Sequence, residues 1–533
     1  MMKWINQGIK KDKTLTGFQI QGRTLTGFQT LLGLVIVVST IFIGLRMKAF
    51  PLSAQASHLE KELRPRAALT DNVESLIPFL IDSLCQITDP THSLDAFLEE
   101  LNMLLAGKDT VIQIVHLGDS HVQAGLYSGQ VMRMLQHAFG NAGRGWIAPL
   151  KLAKINEPRD YYITSPAVKD WIAGRCIQPA PKCIWGLGGL GIQTASKTID
   201  FSVSITPVNG AGYDFNKVLL FRDDKAIPLL PAGADSLTTL TAWGSDIGAP
   251  RIAVDTFRID NQTNSLYLRA VSQRDLQEGF STNSFRHAVL DTASLDSIPF
   301  RLQKIFEPEI WQTPNCYYGF SLMNGKSGIL YHSIGQNGAM FSHFTSSDYM
   351  RQLALLQPSL LIVTLGTNEA FTTQNYIETK FLSQVDDFIQ LVKEYLPATA
   401  ILLTTPAECF RRTRNGYVRN ERISLVAKEI TEYAQREGLA CFDLYGMTGG
   451  ANSCNKWQET KLLGSDRIHF SVDGYLEQGK LLYKAIVRLV VGETRTGEPE
   501  LSPNGKMGEA GEIEEMGDIE SSSGGEIGEI MNS

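Results

Sequence analysis

The chain is short of the residues that would mark it for several common functions. Histidine occurs only nine times in 533 residues, so a histidine set beside another reactive group carries weight. Cysteine occurs seven times, as Cys85, Cys176, Cys183, Cys316, Cys409, Cys441 and Cys454, with no spacing that suits a zinc site. Basic residues do not exceed acidic ones: the net charge is −7. They show no clustering outside the N-terminus, so nucleic-acid binding has no support. Long apolar runs are scarce, with Leu31–Leu45 the exception. What is present is ordinary for a globular protein, 43% hydrophobic and 20% charged, and the length exceeds what one core sustains, so two or more domains are expected.

The apolar exception is informative. Lys3, Lys10, Lys11, Lys13 and Arg23 precede an uncharged stretch from Phe28 to Leu45, and a helix of about 20 residues crosses a bilayer. Residues 28–48 are therefore expected to form a transmembrane anchor, with the basic segment 1–27 held in the cytoplasm. The rival reading is a cleaved signal peptide, for which Ala54-Gln55-Ala56 offers a small-residue site; Arg46 and Lys48 sit awkwardly between that site and the apolar run. Either way the bulk of the chain is expected outside the cytoplasm, where disulfides are permitted. Cys176 and Cys183 are close enough in sequence to close a short loop, and the odd count leaves at least one thiol unpaired. Thr-Leu-Thr-Gly-Phe-Gln occurs at 14–19 and 24–29, too few copies for a repeat fold. Residues 492–533 are rich in Gly, Glu and Ser, a composition expected to stay disordered.

Between anchor and tail the pattern changes twice. Apolar residues recur at three- and four-residue spacing through 57–108, as helices require. Val111-Ile-Gln-Ile-Val115 then reads as a buried strand leading to Gly118-Asp119-Ser120-His121, followed by a helix over 124–139. From 194 to 311 short alternating runs separated by turn residues predict an all-β, sandwich-like module. Afterwards strands and helices alternate again, through Leu360–Leu365 before Gly366-Thr367-Asn368-Glu369, to a closing helix at 475–491. Such alternation implies a parallel sheet with right-handed crossovers, interrupted by the β module.

Reactive residues at the ends of buried strands are where open α/β sheets place their sites. Serine attack on an ester needs a base for the hydroxyl proton and donors for the oxyanion. Ser120 is the candidate nucleophile and His469 the candidate base. Asp466, three residues earlier, is placed to orient the imidazole. Candidate oxyanion donors are the backbone N–H groups of Ser120 and Gly338 and the side-chain amide of Asn368. Asp119 is expected to order the turn, and His121 to make local hydrogen bonds. His332 and His343 read as core or surface. Trp146, Trp171 and Trp185 suit either sugar stacking or core packing. The run Gly186–Gly191 precedes a β-rich stretch rather than a helix, so a dinucleotide loop is excluded.

These blocks, in this order, resemble the SGNH, or GDSL, hydrolase family: Gly118-Asp119-Ser120, Gly335-Gln-Asn-Gly338-Ala, Gly366-Thr-Asn368-Glu369 and Asp466-Arg-Ile-His469. Glu369 stands where many members have aspartate. Gly-Asp-Ser-His at 118–121, Phe-Gly-Asn-Ala-Gly-Arg-Gly-Trp at 139–146 and Gly-Thr-Asn-Glu-Ala at 366–370 are similar to the bacterial peptidoglycan O-acetylesterases, a sub-type in which an inserted module resembling a carbohydrate-binding module occurs. The resemblance implies a three-layer α/β/α flavodoxin-like hydrolase domain in two parts, 57–193 and 312–491, around the 194–311 insertion. It also implies removal of O-acetyl groups from a cell-envelope or extracellular glycan in the periplasm or outside the cell. The expected partners are an acetylated glycan and, through the N-terminal helix, a membrane. No metal or organic cofactor is implied. Two alternatives share these features: a glycan O-acetyltransferase with the same triad, and a non-catalytic envelope glycan-binding protein.

Overall fold

The computed structural model describes Leu69, Ser75 and residues 77–492, except 167, 197–198, 207–211, 232–236, 243–251, 271–284 and 291–313. The expected membrane anchor, the TLTGFQ pair and the acidic tail beyond Gly492 lie outside the described residues. Among those described, no helix is long and apolar enough to cross a membrane.

The central sheet contains β1 (Ile87–Thr88), β2 (Val111–Gly118), β3 (Gly328–Gly335), β4 (Leu360–Thr364), β5 (Ala400–Thr404) and β6 (Ala440–Phe442), in the spatial order β1-β6-β5-β4-β2-β3. All neighbours are parallel except β1, which pairs antiparallel with β6. The five parallel strands follow the flavodoxin-like order 2-1-3-4-5. Their apolar runs are continuous because both faces are covered. Ile112, Ile114, Leu360, Ile362 and Leu402 pack on one side with α1 (Asp95–Leu105), α3 (Tyr127–Phe139) and α7 (Val472–Val491). Val115, Leu117, Leu361, Val363 and Leu403 pack on the other with α4 (Ser347–Ala354), α5 (Leu382–Tyr395) and α6 (Arg422–Arg436). The short α2 (Ser120–Gln123) leaves the end of β2. Of the helices expected over 57–108, the described part contains α1 and a single turn at Asp82–Leu84.

Two antiparallel sheets form the β module. One runs Phe285–Leu290, Leu237–Ala242, Ile252–Thr263, Phe215–Asp223, Asn315–Met323, Leu190–Thr194, Ile172–Arg175, with Gly145–Ile147 also paired to Asn315–Met323. The pairing of Leu237–Ala242 with Phe285–Leu290 is the parallel exception. The other runs Tyr161–Thr164, Asp200–Ile205, Ser265–Ala270, Leu229–Pro231. They face each other across Phe201, which meets Trp171 at 5.1 Å and Tyr317 at 5.4 Å between ring centres. The strands thus reach from Gly145 to Met323, wider than the 194–311 read from alternation. The flanking strands are short and glycine-rich, and Asn315–Met323 is almost wholly buried, so neither shows a half-buried alternation. Trp146 and Trp171 are core residues. Trp185 instead lines a cavity of about 570 Å³ with Asp348 and Gln352.

All seven cysteines are free thiols. The short loop that Cys176 and Cys183 are near enough in sequence to close is open; Cys183 Sγ donates to the Gly191 carbonyl at 3.2 Å instead.

Candidate active site

The register of three strands builds the site. Gly118 lies opposite Gly335 on β3 and opposite Thr364 on β4, so three of the four motif blocks leave the sheet side by side at its carboxyl edge. Gly118 has to be glycine: a Cβ there would stand 2.3 Å from Val122 Cγ2 and 2.7 Å from the Thr364 carbonyl. The tight exit lets Asp119 cap α2, its Oδ1 accepting from the His121 N–H at 2.9 Å. Ser120 is thereby the first residue of α2.

His469 donates or accepts on both sides of its ring. Its Nε2 is 2.8 Å from Ser120 Oγ and its Nδ1 is 2.7 Å from Asp466 Oδ2. Asp466 Oδ1 accepts from the N–H groups of Ile468 and His469, each at 2.9 Å. Burial raises the Asp466 carboxyl, but the bonds from the His469 ring and these two N–H groups outweigh it and hold the group below its ordinary value. An ionised Asp466 only accepts, which fixes the proton on Nδ1 and leaves Nε2 free to receive the serine proton. The His469 and Asp466 side chains are 40% and 51% exposed, so a large substrate has access.

The glycine block turns directly beside this relay. Gln336 N–H donates to the Gly118 carbonyl at 3.1 Å. Gln123 Oε1, on the serine helix, accepts from Asn337 N–H at 2.9 Å. Gly338 adopts φ +84°, a left-handed conformation that favours glycine. Among the described residues no protein acceptor takes its N–H or that of Ser120. Asn368 stands between the blocks: its amide donates to the Ala339 carbonyl at 2.9 Å and to Asp119 Oδ2 at 3.2 Å. Both amide hydrogens are therefore engaged, and an oxyanion would have to take one from the longer bond to Asp119.

Further groups hold the site, some within the motif blocks and some far from them in sequence. His121 is buried with Nδ1 3.0 Å from Tyr475 Oη, its ring centre 5.2 Å from that of His469. Burial and the nearby His469 push it down to about 3, so it packs as a neutral ring. Beneath the serine turn, His116 bridges Tyr331 Oη at 2.6 Å and Thr364 Oγ1 at 2.8 Å. Glu369 is fully buried, its Oε1 accepting from Phe341 N–H at 2.9 Å and its Oε2 unpartnered. Burial pushes both Asp119 and Glu369 up to about 7. Arg175, from the module hairpin, reaches Gln336 Oε1 at 3.2 Å and the Asn337 carbonyl at 2.8 Å, fastening the module to the glycine block. His332 is buried in the core, and His343 Nδ1 accepts from Met340 N–H at 2.9 Å. Among the described residues no cluster of three or more His, Cys, Asp or Glu side chains could hold a metal ion.

A two-stranded hairpin, Phe410–Thr413 paired with Gly416–Arg419, also touches the site. Phe410 N–H donates to the Arg467 carbonyl at 2.9 Å, inside the Asp466–His469 turn. Four arginines in ten residues correct the expectation that basic residues cluster only at the N-terminus. The Asn415-Gly416 pair is a hairpin signal that could have located it.

Residues 318–476 match the GDSL-like Lipase/Acylhydrolase family. The match holds the glycine, asparagine and Asp466–His469 blocks, and begins beyond Ser120, which the β module separates from them in sequence. Over these residues the chain is similar to the SGNH-type hydrolases of this family. A peptidoglycan O-acetylesterase structure superimposes with TM-score 0.58 at 18% identity, covering 76% of this chain and 99% of the other; the likeness is one of fold. An acetyl xylan esterase (TM-score 0.24, 17% identity, 30% of this chain and 81% of the other) and a GDSL-like lipase from Bacteroides thetaiotaomicron (TM-score 0.24, 14% identity, 31% and 76%) overlap too little to bear on the fold. None of the curated proteins matches the chain in sequence.

Proposed function

We propose that the protein is a serine esterase that removes O-acetyl groups from a glycan through an acyl-serine intermediate. The observation that carries this reading is the continuous Ser120–His469–Asp466 relay at 2.8 and 2.7 Å, on a hydrolase fold whose β module is fastened to the glycine block. His469 Nε2 takes the Ser120 proton as Oγ attacks the acetyl carbonyl carbon. The carbonyl oxygen becomes an oxyanion, met by the N–H groups of Ser120 and Gly338 and by the Asn368 amide. Collapse breaks the ester C–O bond, His469 returns the proton to the departing sugar oxygen, and the acetyl group remains on Ser120. Water, deprotonated by His469, repeats the attack and releases acetate.

Glycan as the alcohol is supported by the sandwich set between the serine and the rest of the site, and by the fold shared with a peptidoglycan O-acetylesterase. The basic flank and apolar stretch of residues 1–48 support placement of the catalytic region outside the cytoplasmic membrane, on a single anchor. Acetate release from O-acetylated peptidoglycan tests the reading. The native chain should release acetate, and Ser120→Ala should lower the rate by at least about 1000-fold. A Ser120→Ala variant with native activity would overturn the mechanism.

A further inference from the structure

The arginine hairpin does nothing in the mechanism above. No acid lies between Cys409 and Asn420, although the chain as a whole has net charge −7. Arg419 is paired with Glu408 at 2.8 Å and Glu421 at 3.6 Å. Arg411, Arg412 and Arg414 are exposed and, among the described residues, face no carboxylate within ion-pair distance. Opposite residues of an antiparallel pair share a face, so the pairs Phe410–Arg419 and Arg412–Tyr417 lie on the same side. On that side Arg467 stacks, its guanidinium 4.6 Å from the Tyr417 ring centre and 5.5 Å from that of Phe410. Arg467 is also the residue after Asp466. Arg412 is thus partnered with the residue on whose ring Arg467 stacks, so one face of the hairpin carries Arg412 and receives Arg467. An anion received on that face is attracted by both guanidinium groups.

We propose that the hairpin is a docking surface for the carboxylates of an acidic glycan, with Arg412, on the face that receives Arg467, holding the chain whose acetyl ester lies at Ser120, and with Arg411 and Arg414 adding positive charge around it. The proposal rests on the esterase reading and adds that its substrate is a polyanion. A guanidinium matches a carboxylate with two parallel hydrogen bonds. A protein of net negative charge repels an acidic polymer unless a local patch of opposite sign receives it. The position of the patch against the Asp466–His469 turn favours an anion carried by the same molecule as the ester over a membrane surface.

The test uses the full chain carrying Ser120→Ala, in affinity electrophoresis through gels containing polygalacturonate or neutral dextran, and in sedimentation with phosphatidylglycerol vesicles. Retardation by polygalacturonate, absent with dextran and reduced about tenfold in a variant that adds Arg411→Gln, Arg412→Gln and Arg414→Gln, is expected. It should also weaken as salt shortens the Debye length. Undiminished retardation of the arginine variant, or sedimentation with vesicles and none of the polygalacturonate effect, overturns the proposal. Acetate release from a small neutral ester by the native chain is read separately: its absence would defeat the esterase reading while leaving the binding result intact.

Discussion

Asp119 and Glu369 place two buried carboxyl groups directly behind the candidate nucleophile and Asn368. Burial is the main cause of both shifts, and for Glu369 the neighbouring Asp119 adds to it. Each group holds its proton more tightly in the folded chain than in the unfolded one, so each favours folding fully below the ordinary carboxylate range. That contribution is lost as the pH rises through about 7. Glu369→Gln keeps the oxygen that accepts from Phe341 N–H and removes the titration. Denaturant unfolding of the native chain should therefore show stability falling from pH 5 to pH 8, and Glu369→Gln should flatten that fall by roughly 1–3 kcal/mol. Parallel pH dependences for the two proteins would exclude Glu369 as the source. The motif residues themselves were readable in the sequence because serine, asparagine and a rare histidine stood after buried strands. Gln123, Arg175 and Tyr475 were not, since their roles depend on which helix or hairpin packs against the turn, and no local spacing encodes that.

At the scale of elements, legibility follows burial. The strands β2 to β5 are continuous apolar runs because helices cover both faces, and such runs stand out in a sequence. The module strands Tyr161–Thr164 and Ile172–Arg175 are four residues each, and their pairing is decided by partners further along the chain. The 410–419 hairpin carries arginines at 411, 412, 414 and 419 and no apolar alternation to mark it; only the register puts Arg412 opposite Tyr417. This hairpin also clamps the Asp466–His469 turn. Arg467 has φ +61°, a left-handed conformation that costs a side-chain-bearing residue about 1–2 kcal/mol. The bond from Phe410 N–H and the two ring contacts offset that cost. Tyr417→Ala removes the closer ring, and the stacking is worth about 0.5–1 kcal/mol. The variant should stay folded by circular dichroism yet hydrolyse a small neutral ester several-fold more slowly, with the loss in kcat and not in KM. An unchanged kcat would show that the turn holds its shape without the hairpin.

Across the whole molecule, the module and the hydrolase layers share one core. Leu101, Val131 and Leu135 of the helical layer belong to the same contiguous apolar cluster as Phe201, Val218 and Phe320 of the sandwich. The strand Asn315–Met323 runs on within five residues into β3 (Gly328–Gly335), which carries the glycine block. The two parts should therefore unfold together. A buried ion pair in the sandwich gives the means to test this. Arg222 Nε is 2.7 Å from Asp255 Oδ2 and Nη2 is 3.0 Å from Oδ1, with both side chains almost wholly buried. Removing the carboxylate leaves a buried guanidinium with only carbonyl partners, which costs about 3–5 kcal/mol. Asp255→Ala should lower the midpoint of thermal unfolding. The shift should be the same whether followed by tryptophan fluorescence, which senses Trp171 in the sandwich, or by loss of esterase activity at Ser120. If activity persists above the temperature at which the fluorescence transition ends, the module melts on its own, and its contacts through Arg175 and the shared cluster are too weak to couple it to the site.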